Sequence, residues 1–207
     1  MNHDASPPAA ARRALRLVLG GLVLVLAGII GTFWYPSGSS SATSFGDVLR
    51  GDDHGPVGEA DGVVTGRASV FDDDVPAVAK LDPELLDALR RAAKDAAGDD
   101  VEFLVNSGWR SPDYQEQLLD EAVSKYGSED EAARWVATPE TSLHVTGDAV
   151  DVGQLDATVW LSDHGADYGL CRTYVNEPWH FELRPEAVAD GCPHMYADPT
   201  HDPRMQQ

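Results

Sequence analysis

The stretch Thr141–Asp151, TSLHVTGDAVD, decides how this 207-residue chain is read, because it sets His144 and Asp151 seven residues apart with Gly147 between them. A second stretch, EPWHFE from Glu177 to Glu182, adds His180. Histidine nitrogens and a carboxylate oxygen are what a catalytic zinc takes as its three protein ligands, its remaining position being left to water. His144, Asp151 and His180 form such a set. Glu177, three residues before His180, is close enough to stand beside that water as a general base without binding the metal.

Around these two stretches the local signals alternate between helix and strand. Asp82-Pro83-Glu84 is a helix start, with Asp82 as cap and proline at the first helical position, and Leu85, Leu86, Leu89, Ala92 and Ala93 then recur with a helical period up to Gly98. VEFLVN, Val101 to Asn106, is β-prone and bounded by turn residues, so a strand that delivers Arg110 at its exit. Ser111-Pro112 opens a second helix through about Tyr126, and Ser128 with Glu131 forms a capping box for a third through Trp135. Asp148–Val152 reads as a strand, Val159–Asp167 as a helix, and Leu170–Val175 and Trp179–Leu183 as two more strands. The fold class expected is α+β, a small antiparallel sheet carrying the zinc site with helices packed around it.

Composition bounds the rest. With 43% hydrophobic residues the chain can bury one core of ordinary size. The net charge is −20, and the first 35 residues hold three basic groups and one acidic group, leaving 12 basic and 34 acidic groups beyond them. Such a surface repels phosphate backbones, so nucleic acid is excluded as a partner. Positions 17–35 carry no charge, and these 19 residues at ~1.5 Å each approach the ~30 Å of a bilayer core. Arg12, Arg13 and Arg16 precede them, so residues 1–16 are expected in the cytoplasm and 17–35 as a membrane anchor or signal segment. Cleavage near Ser37–Ser44 would instead release the chain. Residues 36–74, rich in Ser, Gly and Asp, read as a flexible tether, with Gly66–Phe71 as a possible edge strand, and 75–207 as the folded domain. Cys171 and Cys192, the only cysteines, read as a disulfide in an exported chain, against buried thiols in a cytosolic one.

The motif residues carry a resemblance. Ser142-x-His144-x-x-Gly147-x-Ala149-x-Asp151 followed by Glu177-x-Trp179-His180 resembles the signature of the VanY-type zinc D-alanyl-D-alanine carboxypeptidases, relatives of the D-Ala-D-Ala dipeptidases and of the hedgehog amino-terminal domain. Ser107-Gly108-Trp109-Arg110-Ser111 with Tyr114-Gln115, and Ala166-x-Tyr168-Gly169, resemble two further elements in the family's order. The short span from Asp151 to Glu177 and the cysteine at 171 depart from its pattern. The resemblance implies Arg110 on the substrate, with Ser142, Asp148, Tyr114 and Gln115 as candidate substrate contacts and Glu182 as a structural carboxylate. It implies an enzyme that trims the terminal D-alanine from peptidoglycan stem peptides, which fits the membrane-tethered placement outside the cell read from residues 17–35; a monomer is expected. Other readings are a stem-peptide endopeptidase, a dipeptidase, and a wall-binding module with an idle zinc.

Overall fold

This computed structural model describes residues 56–206. Helix α1 (Pro76–Ala79) leads into α2 (Pro83–Ala96), where the Asp82 carboxylate accepts from the backbone N–H groups of Glu84 and Leu85. The apolar face read from the sequence is the buried one: Leu85, Leu89, Ala92 and Ala93 all lie within the core. Strand β1 (Leu104–Ser107) follows, then α3 (Pro112–Tyr126), begun by the Ser111 hydroxyl accepting from Tyr114 N–H, and α4 (Glu129–Ala132). Next come α5 (Leu143–Thr146), β2 (Ala149–Gly153), α6 (Leu155–His164), β3 (Leu170–Arg172), β4 (His180–Leu183) and α7 (Ala187–Asp190).

The four strands form one antiparallel sheet in the order β1-β2-β4-β3. Side chains alternate across a strand, so each face has its own set. Val105, Val150, Val152 and Phe181 enter the same core as the buried face of α2. Burying a side chain such as Phe181 or Leu85 is worth about 1.5–3 kcal/mol, and this layer of helix on sheet holds the domain together. The opposite face is left for polar chemistry. There the register sets Asp151 of β2 directly across from His180 of β4 and from Ser107 of β1, where a bulge after Val105 shifts the pairing.

Several boundaries differ from the sequence reading. The β1 strand starts at Leu104 rather than Val101, because Asp100 in a left-handed turn closes the preceding helix and Val101 N–H still bonds back to Ala96 O. Helix α4 is one turn, not two, and α6 begins four residues early, at Leu155. The tether is corrected over residues 58–74: Ala68 and Val70 are 2% and 0% exposed in the core, and Val105 N–H donates to Ala68 O at 2.7 Å. The edge strand expected at 66–71 reduces to a single bridge between Ser69 and Leu104. The cytoplasmic segment 1–16, the membrane segment 17–35 and the start of the tether lie outside the described residues. Among the described residues no helix is long and apolar enough to cross a membrane. Cys171 and Cys192 are joined in a disulfide, tying β3 to the chain after α7.

Candidate metal centre

Three buried side chains converge on the polar face of the sheet. His144 comes from the single turn α5, which ends at Gly147 with φ +84°; a Cβ there would meet Lys80 O at 2.6 Å, so glycine lets the turn close against the start of α2. Asp151 and His180 come from paired positions of β2 and β4. One ligand atom from each of His144, Asp151 and His180 lies within 4.8 Å of the others. Asp151 Oδ1 is 3.5 Å from His144 Nε2 and 3.3 Å from His180 Nδ1. Ligands ~2.0–2.1 Å from a tetrahedral zinc stand about 3.3–3.4 Å apart, so these spacings fit that ion.

What each side chain does with its other end fixes the direction of the first. His144 Nδ1 is 2.8 Å from the carbonyl of Gly108, which makes Nδ1 the protonated nitrogen and frees Nε2 for a metal. Asp151 Oδ2 accepts from Arg110 Nη2 at 2.8 Å, freeing Oδ1. His180 Nε2 lies 3.3 Å from Glu182 Oε1, freeing Nδ1. Among the described residues four buried side-chain N or O atoms have no hydrogen-bond partner, and three of them are Asp151 Oδ1, His180 Nδ1 and Glu177 Oε1. Buried polar atoms are rarely left this way. Here they belong to one group, and the residues fit a bound cation with a water beside it.

Glu177 is 6% exposed, with Oε2 3.8 Å from His180 Nδ1. Burial pushes its carboxyl up to about 7, with Asp151 adding to the rise against the pull of His180 and Arg110. A cation held by the neighbouring ligands would draw that value back down and leave the group ionised, as a general base must be. Burial likewise works against the charge of Asp151, but His144, His180 and Arg110 hold its carboxyl well below the usual range. On His144 burial dominates, aided by Arg110, and the ring is held below its ordinary value. On His180 burial is outweighed by Asp151 and Glu182, which raise it to about 9, a proton that a bound cation would displace.

Arg110 is committed to the protein more fully than the sequence suggests. Its Nε donates to Ser107 Oγ at 2.7 Å and its Nη1 to Gln115 Oε1 at 3.1 Å, besides the bond to Asp151. Gln115 is buried and spends its Nε2 on Ala137 O, so it orients Arg110. Both residues border a cleft of about 470 Å³, with Ser142, His144, Asp151, Glu177 and His180. Tyr126 and Trp135, stacked 5.8 Å apart, line it too, with Trp179, Pro199 and Met205.

Two expected substrate contacts stand outside the lining of this cleft. Asp148 stands three positions before Asp151 in an extended stretch, so it points to the other side; it is exposed, accepts from Thr146 Oγ1 and borders a second cavity. Tyr114 is one residue from Gln115 on α3, about 100° round the helix, and does not line the cleft. Sequence reading missed the Gly108 carbonyl, and it missed Tyr174, Asp202 and Arg204, which surround His180 and Glu182. No periodicity or motif marks those three.

A family profile described as VanY: D-alanyl-D-alanine carboxypeptidase matches residues 78–186. A D-alanyl-D-alanine carboxypeptidase of Enterococcus faecalis (strain ATCC 700802 / V583) is 32% identical over 111 residues, 42% of this chain and 41% of that protein, so the chain spans less than half of its relative's length. Among solved structures, VanYB in complex with D-Alanine-D-Alanine is 26% identical, with a TM-score of 0.49 over 54% of this chain and 74% of that one. The LdcB LD-carboxypeptidase is also 26% identical, with a TM-score of 0.49 over 65% of this chain and 72% of that one.

Proposed function

The chain belongs to the VanY family of D-alanyl-D-alanine carboxypeptidases, and from that premise we propose that it is a zinc peptidase that removes the terminal D-alanine from peptidoglycan stem peptides. The observation that carries the reading is the set of orphaned atoms, Asp151 Oδ1, His180 Nδ1 and Glu177 Oε1, beside His144 Nε2. His144, Asp151 and His180 hold the zinc. When bound, that ion supplies Lewis acidity to a carbonyl oxygen and acidifies water.

The protein's own groups supply the rest. Glu177, buried beside His180 with Oε1 unpartnered, takes the proton from the attacking water and passes it to the leaving amine. Arg110, fixed by Ser107 and Gln115, orients Asp151, and three of its five N–H groups are engaged. The other two are available to the substrate's terminal carboxylate or to negative charge developing on the cleaved carbonyl. Ser142 borders the cleft without capping its own helix, which leaves its hydroxyl for the peptide. The charge-free run at 17–35 and the disulfide support a place for the domain outside the membrane, in an oxidising compartment within reach of the wall.

Glu177→Gln tests the reading. It preserves shape but accepts no proton, so zinc content and peptide affinity should hold while D-alanine release falls by at least ~100-fold. Digests of pentapeptide stems read by mass spectrometry check it and show at once which bond is cut. A wild type that binds zinc and stem peptide but cuts no bond would make the domain a wall-binding module. Loss of zinc from the variant would make Glu177 a ligand.

A further inference from the structure

The family match ends at residue 186, yet the residues after it reach back to the metal centre. The disulfide from Cys192 to Cys171 brings the chain round, and Tyr196 then pairs with Tyr174, its N–H donating to Thr173 O and its carbonyl accepting from Val175 N–H. The last described turn presents Arg204 to Glu182, with Nη1 at 2.7 Å from Oε2 and Nη2 at 3.2 Å from Oε1. Arg204 also grips Asp202, which is fully buried and accepts from the Tyr174 hydroxyl at 3.0 Å. Two further contacts constrain the His180 ring: Glu182 at its Nε2, opposite the Nδ1 that faces Asp151, and the Tyr174 ring with centroids 5.1 Å apart. Both partners are therefore held by the same terminal segment.

We propose that Arg204 is a positioning residue of the metal centre: by fixing the Glu182 carboxylate in two-point contact it holds His180 with Nε2 protonated and Nδ1 aimed at the metal position. The inference rests on His180 being a metal ligand. Glu182 is 1% exposed and also receives Arg184 at 2.5 Å, but Arg184 alone offers a single contact and no bond to Asp202. Without Arg204 the carboxylate can rotate, and the imidazole loses the partner that selects its tautomer. Outer partners of metal-bound histidines act in this way, and their loss costs roughly 10–100-fold in metal affinity.

The test uses the full chain and zinc alone, titrated against a chromogenic chelator, with wild type, Arg204→Ala and Arg204→Lys. Arg204→Ala should weaken zinc binding by roughly 10–100-fold. It should also lose the slowly exchanging imidazole N–H signal of His180 in the zinc-bound protein. Arg204→Lys, which keeps a cation against Glu182 but not the two-point contact, should recover only part of both. Because Arg204→Ala strips buried Asp202 of a partner and can fail to fold, Glu182→Gln examines the same link with both arginines in place, and should weaken zinc by about 10-fold. Zinc affinity within threefold of wild type and an unchanged His180 N–H signal, in whichever of these variants folds, overturns the proposal. A wild type that binds zinc but cuts no stem peptide would end the proposed activity and leave this inference standing.

Discussion

Residues 58–74 and 187–206 lie on either side of the family segment, and both fold back beneath the same centre by opposite chemistry. The first is held chiefly by apolar burial and backbone contact, with the Arg90–Asp73 and Arg67–Glu102 ion pairs at its exposed surface. Ala68 and Val70 sit in the core, Asp61 O accepts from Ser111 N–H, and a Cβ on Gly62 would stand 2.1 Å from Trp109 O, so this segment runs directly under the loop that carries Arg110. The second buries few apolar side chains. It is held by a disulfide, by Arg204 on Glu182 and by Arg134 on Asp198. Apolar burial is non-directional and adds stability without choosing an orientation. Charged hydrogen bonds are directional, and they can set the angle of a ring. The first flank should therefore act on stability alone, and the second both on stability, through its disulfide, and on how His180 is presented.

The largest effect on stability should come from breaking the covalent link. Replacing Cys171 and Cys192 with alanine opens a loop spanning 21 residues and should cost about 3 kcal/mol, or roughly 6–12 °C in melting temperature for a domain of this size. One zinc per chain should remain at saturating metal, since His144, Asp151 and His180 are all still present. Calorimetry with and without reductant checks this. An unchanged melting temperature would mean that the second flank is held by its ion pairs alone.

Val70→Ala sharpens the contrast from the other side. It removes two buried carbons from the core and should lower stability by about 2 kcal/mol, read from urea denaturation of the metal-free protein. Zinc affinity should stay within about twofold, because stability lost at a non-directional contact leaves the ring angles alone. If zinc binding weakens in step with stability, the two flanks do not differ in kind.

How far each part was legible in the sequence follows the same division. The helix starts at Asp82-Pro83 and Ser111-Pro112 were readable because a cap and a proline act within four residues, and the structure has both. The three converging residues were readable because they are zinc-ligand types inside motifs that resemble the VanY signature, and the structure brings them together. Motif membership puts Asp148 among the site candidates, whereas alternation sets it opposite Asp151, where it borders the second cavity. The first flank was hidden by composition: its Ser, Gly and Asp residues outnumber Ala68 and Val70, and two buried positions decide the packing. The second flank was hidden because Arg134 meets Asp198, and Arg204 meets Glu182, only through the tertiary fold. Ion pairs over a sequence separation such as the 64 residues between Arg134 and Asp198 leave no periodic trace.

The smallest effect is a dependence on pH that only the second flank should show. Asp198 is 1% exposed and accepts from Thr200 N–H, Thr200 Oγ1, His201 and Arg134. Burial works against its charge, and these partners outweigh it, holding the carboxyl at about 2. An unperturbed aspartate titrates near ~3.9, so the folded state binds this proton less readily than the unfolded chain. The contribution is therefore complete above pH ~4 and disappears as the pH falls through about 2. Asp198→Asn should lower the urea midpoint near pH 6, and the gap to wild type should close as the pH approaches 2, because the protonated wild type then resembles the variant. Other carboxylates titrate in both proteins and cancel in the difference. Val70→Ala involves no proton, so its gap should stay level over the same range. A gap for Asp198→Asn that also stays level would show that Asp198 acts through shape rather than charge, and the directional account of the second flank would lose one of its supports.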